Sequence, residues 1–300
     1  MSAETEVSPV GPGDQMTDSA EQGRICARAA KGQRDLTAVA AAYPELFPPR
    51  PFDATLFGDV AMAIAFCAPW CDLDRLRAAH RAVLWGFAVD RLIDHEARSR
   101  DEIDRLAVRC LAVVDGATPQ EGDQLGALLA ELRDELATVP AFAAHRERWR
   151  EETRKVLDAM AREWDWQQSP DTRPGFAEYL DNAASLACTV VNVVHWIHGD
   201  DPATLAHLDA LLAASDQVQR ILRLVDDLGT YERDLRRGDL NALLLVSRAE
   251  VEKRIAVLVA EAREQLATLR VDCPVAVDHL ARQIGFSSGF HRSTDFWGTP

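Results

Sequence analysis

Apolar and polar positions alternate with the period of an α-helix along most of the 300-residue chain. Alanine, leucine, arginine and glutamate, which favour helices, dominate these stretches. No alternating run rich in valine, isoleucine and threonine indicates a strand, and no repeat of 20–50 residues is evident. The pattern therefore predicts one all-α domain, with helices packed as a bundle around a shared interior.

Two segments near the N-terminus depart from this helical pattern. The first 22 residues are polar and rich in small side chains, which predicts a flexible N-terminal tail ahead of a domain at 23–300. Four prolines within residues 43–53 rule out a helix there, since proline cannot donate the helical hydrogen bond.

Capping residues and prolines predict the bounds of the longer helices. Asp72 is placed to cap the N-terminus of a helix that reaches past Asp94. We predict one helix at 176–197, and Pro202 suits the first position of another that runs to about residue 234.

The charge of the chain excludes one class of function. With 33 Lys and Arg against 48 Asp and Glu, the formal charge is −15. Nucleic-acid binding depends on clustered basic side chains, so this balance argues against it. Acidity remains compatible with a phosphate-bearing small molecule, because carboxylates can hold the metal ions that bind phosphate.

The sequence predicts a cytoplasmic protein. Its N-terminus lacks the basic start and apolar run of a secretory signal. No stretch approaches the roughly 18 apolar residues of a membrane span. Six cysteines are scattered without a Cys-x-x-Cys pair, which favours reduced thiols.

The most informative segment is RLVDDLGTYERDLRRGDLNALLL at 223–245. Asp226, Thr230 and Asp234 share one face of a helix, because they are spaced four residues apart. Two carboxylates and a hydroxyl on one face can supply oxygen ligands to Mg²⁺, with Arg223 close enough to bind an anion. Acidic residues at this spacing also occur on solvated faces, but the apolar residues just before Asp226 favour a face that lines the interior.

A second acidic segment, WGFAVDRLIDHE, lies about 130 residues upstream. Asp90 and Asp94 are four residues apart, although Arg91 could pair with Asp94 or Glu96 on an ordinary surface. Bulky apolar residues precede this segment too. The two carboxylate sets could therefore face each other across a bundle, with Mg²⁺ ions at the mouth of an apolar cavity.

These motifs resemble those of class I terpene synthases. That family carries DDxxD or DDxxE on one helix and (N/D)DxxSxxxE, with Thr tolerated for Ser, on a facing helix. Here the second motif is Asp226 to Asp234, with Asp in place of the final Glu, while Arg91 replaces the second Asp of the first motif. The resemblance covers roughly Phe52 to the C-terminus and implies a helical bundle around a central apolar cavity.

Two features depart from the family pattern. Many bacterial members have a diphosphate-sensing Arg upstream, where this chain has Asn182, Ala183 and Ala184. Many also end in an Arg-Tyr pair, whereas this chain has Arg292 with no tyrosine after it. The FHRSTDFW ending resembles that of bacterial labdane-related diterpene synthases.

The resemblance implies a set of site residues. Three Mg²⁺ ions would be held by Asp90, Asp94, Asp226, Thr230 and Asp234. They would bind an allylic diphosphate with help from Arg223 and Arg292. Ionisation would leave a carbocation in a cavity lined by Phe87, Trp196, Phe296 and Trp297, although each of these aromatic side chains could equally be core packing.

The first functional hypothesis is a Mg²⁺-dependent diterpene synthase that ionises a C20 diphosphate to a diterpene hydrocarbon or alcohol. The substrate is either linear or a bicyclic labdane-type diphosphate supplied by a separate class II diterpene cyclase. Alternatives are a sesquiterpene synthase, an isoprenyl diphosphate synthase, or a non-catalytic helical binding module. The second motif reads DDxxT, which counts against chain elongation. By resemblance, the fold also allows a homodimer.

Overall fold

The computed structural model describes residues 12–296, apart from 170, 172 and 184–187. The described part of the chain contains twelve α-helices and no strands, as the periodicity predicts. The helices are α1 (Pro12–Ala42), α2 (Ala54–Cys67), α3 (Leu73–Arg91), α4 (Arg100–Val114), α5 (Gln124–Leu136), α6 (Phe142–Gln168), α7 (Phe176–Ala183), α8 (Cys188–Gly199), α9 (Pro202–Ala206), α10 (Leu208–Arg237), α11 (Arg248–Leu269) and α12 (Pro274–Phe290).

Five helices form a closed ring. α3 packs on α8, α8 on α10, α10 on α12, α12 on α2, and α2 on α3. The other long helices lie outside the ring: α1 against α2 and α3, α5 against α3, α6 against α8, α4 against α5 and α6, and α11 against α10. Because α3 and α10 are not neighbours in the ring, they face each other across its interior.

Side-chain caps set the ends of the ring helices. Asp72 begins α3 by accepting a hydrogen bond from the backbone N–H of Arg75 at 3.0 Å, as predicted. Asp53 begins α2 in the same way through Thr55 and Leu56. α10 ends at Gly238, whose φ of +83° places it in the left-handed region that glycine adopts without strain.

Irregular turns follow both of the helices that carry the predicted motifs. A π-helical turn, Leu92–Glu96, continues α3 directly, so the helical path passes Asp94 but not as regular α-helix. A 3₁₀ turn, Ala242–Leu244, follows α10. No described helix is long and apolar enough to cross a membrane.

Two predicted bounds differ from the observed ones. The expected N-terminal tail is helical from Pro12, because proline fits a first turn and no further proline follows it within the helix. Side chains at 16–24 are nevertheless exposed, and Ile25 is the first buried one. The helix expected at 176–197 is described in two parts, α7 and α8, and residues 184–187 between them lie outside the described part.

The helix expected at 202–234 is instead two helices, α9 and α10. The short α9 is capped by Asp201, which accepts from the backbone N–H of Thr204 at 2.9 Å. His207 then interrupts the helical path, and its Nδ1 lies 2.9 Å from the carbonyl oxygen of Ala203. A propensity pattern does not reveal such a break, because every residue around it is compatible with a helix.

Substitutions on two outer helices test the assignment of the core. Leu128→Ala in α5 removes a side chain that is 0% exposed, so we expect the free energy of unfolding to fall by about 2–5 kcal/mol in urea titration. Val108→Ala in α4, where the side chain is 68% exposed, should change it by no more than about 0.5 kcal/mol. Equal losses for the two variants would contradict the packing described above.

Candidate active site

The two carboxylate motifs lie at the same end of the ring. The pKa of Asp90, on α3, is influenced by Arg223 and Arg233 of α10 and by Asp239 just beyond that helix. Asp94 likewise feels the charges of Arg223 and Asp239. The two predicted motifs are therefore brought together electrostatically, from two helices on different sides of the ring.

Asp90 and Asp94 form a strained pair of acids. The surrounding protein displaces water from both, and negative neighbours add to this effect: Glu163 acts most on Asp90, and Asp90 acts most on Asp94. The pKa of Asp90 rises to about 7 and that of Asp94 to about 9. Arg91 does not relieve them, because its Nη2 pairs with Glu96 at 2.6 Å. A bound cation would favour the charged form of both acids.

The second motif is organised around Asp234. The hydroxyl of Thr230 lies 2.6 Å from Asp234 Oδ2, and the side-chain amide of Asn241 donates to the same oxygen at 2.9 Å. Asp226 lies two turns before Asp234 and faces His291, whose Nδ1 is 3.1 Å from Asp226 Oδ1. Burial raises the pKa of Asp226 to about 6 and lowers that of His291 to about 4, so the imidazole is neutral.

Asp227, the residue after Asp226, anchors α10 from the other side. It is 1% exposed and accepts hydrogen bonds from the hydroxyl of Tyr179 at 2.8 Å and from the backbone N–H of Ala242 at 3.1 Å. The side-chain amide of Asn241 donates to its backbone carbonyl at 3.0 Å. Asp227 therefore ties α10 to α7 and to the 3₁₀ turn, a role that its place in the motif did not reveal.

Arg223 is occupied by protein partners. Its Nη2 donates to Glu163 at 2.6 Å and to the carbonyl of Leu240 at 2.9 Å, while its Nε donates to the hydroxyl of Tyr179 at 2.5 Å and to Asp227 at 3.1 Å. The predicted anion-binding side chain thus has these four partners. Its charge still opposes the rise in pKa of Asp90 and Asp226.

Arg233 is the cation that sequence reasoning missed. It lies inside the second motif, where its Nη2 is 3.1 Å from Asp234 Oδ1 and its Nη1 is 2.8 Å from Asp295 Oδ1. Its place between Thr230 and Asp234 was a usable signal, whereas nothing in the pattern indicated Asp295 as its partner. The predicted Arg292 is exposed in the turn after α12.

A row of phenylalanines connects α2, α12 and α3. Ring centroids are 5.8 Å apart for Phe66 and Phe286, 5.4 Å for Phe286 and Phe290, 4.8 Å for Phe290 and Phe296, and 6.5 Å for Phe296 and Phe87. All five side chains are half-buried. The predicted pair Phe87 and Phe296 is brought together, while the other three were missed, although the four-residue spacing on α12 was a signal for two of them.

Two further aromatic side chains, Trp196 and Trp297, were predicted to line the cavity. Trp196 is buried in the main core, edge-on to His279 with centroids 6.2 Å apart. Trp297 falls outside the described residues. Asn182, in the region where the family has its sensing arginine, is buried and donates to the carbonyl of Ala159 at 3.0 Å.

Oxygen donors occur as one pair, Asp90 on α3 and Asp94 in the π-helical turn that continues it, and one group of three on α10. Within the described ranges, no three His, Cys, Asp or Glu side chains converge closely enough to hold a metal ion by themselves. Mg²⁺ takes about six oxygen ligands, usually one or two carboxylates together with water and phosphate oxygens. The donor set therefore fits ions that a phosphate-bearing molecule helps to coordinate.

Comparison with known proteins gives a consistent result. The family model for terpene synthase family 2, C-terminal metal binding, matches residues 81–272. The chain is 28% identical over 274 residues to ent-pimara-9(11),15-diene synthase of Streptomyces sp. (strain KO-3988), and the match covers 88% of this chain and 91% of that protein.

Two solved structures have the same fold. The 2-methylisoborneol synthase of Streptomyces coelicolor A3(2), in complex with Mg²⁺ and geranyl-S-thiolodiphosphate, has a TM-score of 0.73 at 18% identity and covers 91% of this chain and 93% of that one. The linalool/nerolidol synthase of Streptomyces clavuligerus, in complex with 2-fluorogeranyl diphosphate, has a TM-score of 0.71 at 16% identity, covering 88% and 94%. Because the family model spans more than half of the chain and both carboxylate motifs, the chain belongs to the terpene synthase family.

Proposed function

We propose that this terpene synthase ionises an allylic C20 diphosphate with the aid of Mg²⁺ and converts the carbocation to a diterpene hydrocarbon or alcohol. The observation that carries the proposal is that Asp90 and Asp94 lie within electrostatic reach of Arg223, on the helix of the second motif, at one end of the helical ring and beside the phenylalanine row. The relative at 28% identity is by name a diene synthase of the pimarane type, which favours a C20 substrate.

The oxygen donors of the two motifs fit Mg²⁺. Asp90 and Asp94 would supply one side of the site, and Asp226, Thr230 and Asp234 the other. When bound, Mg²⁺ supplies positive charge that stabilises the departing diphosphate. Three ions are proposed, by resemblance to the family.

The side chains of the chain itself would then act in two ways. Arg223 and Arg233 supply fixed positive charge at the same end of the ring, which lowers the cost of negative charge on the leaving group. The half-buried rings of Phe87, Phe290 and Phe296 would exclude water from the carbocation and offer their negative faces to it.

Turnover assays test the substrate class directly. Incubation with geranyl, farnesyl, geranylgeranyl and copalyl diphosphates, with and without Mg²⁺, should give diphosphate release and a hydrocarbon or alcohol only from a C20 substrate and only with the metal. A preference for copalyl diphosphate would support supply by a class II diterpene cyclase. Preference for a C10 or C15 substrate would contradict the C20 assignment, and no release from any substrate would contradict the proposed function.

Carboxylate substitutions test the metal assignment. Asp90→Asn and Asp226→Asn should each lower kcat/KM by at least about 100-fold, because each removes a charged ligand while keeping the size of the side chain. Asp101→Asn, an exposed acid in the first turn of α4, serves as the matched control and should change the rate less than about twofold. Near-normal activity of Asp226→Asn would show that this carboxylate is not a ligand.

Removal of one hydroxyl tests the anchor of α10. Tyr179→Phe leaves Asp227 and Arg223 each short of a buried partner, so the free energy of unfolding should fall by about 1–3 kcal/mol in urea titration. Turnover should also slow, because the motif on α10 loses its fixed orientation. Tyr231→Phe, which changes a half-buried tyrosine of α10, is the control. A similar loss of stability in both variants would argue against the anchor.

A further inference from the structure

The C-terminal segment, residues 291–296, lies directly on the second motif. A Cβ atom placed on Gly229 would lie 2.6 Å from the backbone carbonyl oxygen of His291, closer than real Cβ contacts allow. Gly229 stands between Asp226 and Thr230 in the motif. Only glycine permits the backbone of α10 to approach the backbone of His291 this closely, so the segment packs directly against the motif.

An ion pair holds the same segment farther along α10. Arg233 Nη1 lies 2.8 Å from Asp295 Oδ1, and the two side chains are only 13% and 9% exposed. The other end of the guanidinium is 3.1 Å from Asp234 Oδ1. Asp295 therefore contacts a side chain that itself holds one of the proposed metal ligands.

The segment also reaches α3 close to the first motif, which contains Asp90 and Asp94. Phe296 packs on Phe290 at the end of α12 and meets Phe87 edge-on across the ring, one turn before Asp90. His291 adds a contact to Asp226. Through these contacts, the six residues at 291–296 connect α10, α12 and α3.

We propose that Asp295 is a positioning residue that acts through Arg233, orienting Asp234 toward the metal and seating the C-terminal segment so that Phe296 meets Phe87. The inference rests on the proposed function and deepens it, since it names what aligns the second motif. Partners that orient metal ligands in this way typically change metal affinity or activity by about 10–100-fold when they are removed.

A purely structural role for Asp295 would have different consequences. It would lower stability without changing metal affinity or the distribution of products. Mn²⁺ binding in the presence of inorganic diphosphate, followed by electron paramagnetic resonance, separates the two roles because it does not depend on turnover. Hydrogen exchange of peptides covering residues 286–296 reports whether the segment stays in place.

Asp295→Asn keeps the size of the side chain and removes its charge. We expect at least about 10-fold weaker Mn²⁺ binding, faster exchange in 286–296, and a kcat at least about 10-fold lower with a broader set of products. Asp295→Glu should restore part of the Mn²⁺ affinity, because it restores the charge that holds Arg233.

A glycine pair supplies an independent test with a matched control. Gly229→Ala should displace the segment, lowering kcat by at least about 10-fold and speeding exchange in 286–296. Gly285→Ala, on α12, meets nothing within 4 Å and should leave both quantities within about twofold of the unmodified protein.

The outcomes separate this inference from the proposed function. Unchanged Mn²⁺ affinity and unchanged products in a folded Asp295→Asn variant would overturn the inference even if the enzyme is an active diterpene synthase. If Asp295→Asn does not fold, equal kcat values and equal hydrogen exchange in 286–296 for Gly229→Ala and Gly285→Ala overturn the inference instead. No turnover by the unmodified protein would contradict the proposed function, while Mn²⁺ binding and exchange would still decide the role of Asp295.

Discussion

The buried carboxyl group of Asp227 is the constraint on which the site depends. It receives the hydroxyl of Tyr179, the guanidinium of Arg223 on the same helix and a backbone N–H of the 3₁₀ turn, so α10 cannot rotate without breaking the contacts to Tyr179 and to the turn. A rotation of α10 by one residue, about 100°, would carry Asp226 and Asp234 away from the interior of the ring. The orientation of Asp226 and Asp234 is therefore set by Asp227, whose side chain points in a different direction and does not itself face the site.

Electrostatic strain follows from this rigid placement. Burial and mutual repulsion hold the pKa values of Asp90, Asp94 and Asp226 well above the usual value for a carboxyl group. The protein tolerates this because Arg223 and Arg233 face the same region, and because the rest of the fold contributes packing that does not depend on these acids. Most of the net charge of −15 is thus surface charge, while a few carboxyl groups carry a cost that a cation could offset.

Local periodicity was sufficient to predict the fold class and the two motifs. The four-residue spacing of Asp226, Thr230 and Asp234 requires only the geometry of one helix, and the side chains of the last two are in contact in the fold. The partners of Arg223 could not be predicted, because Glu163 lies 60 residues away on α6 and only tertiary packing brings it near. The pairing of Arg233 with Asp295 could not be predicted for the same reason, because only tertiary packing brings the two residues together.

The π-helical turn at Leu92–Glu96 has a consequence for how related chains are compared. Such a turn contains one more residue than an α-helical turn, since its hydrogen bonds span five residues, as from the N–H of Ala97 to the carbonyl of Leu92 at 2.9 Å. Asp94 therefore does not fall on the face that a continuous α-helix would assign to it. An alignment that allows no one-residue gap between Arg91 and Ala97 will place Asp94 out of register with the corresponding residue of a relative whose helix is regular, and an acid present in both chains will then look like a substitution.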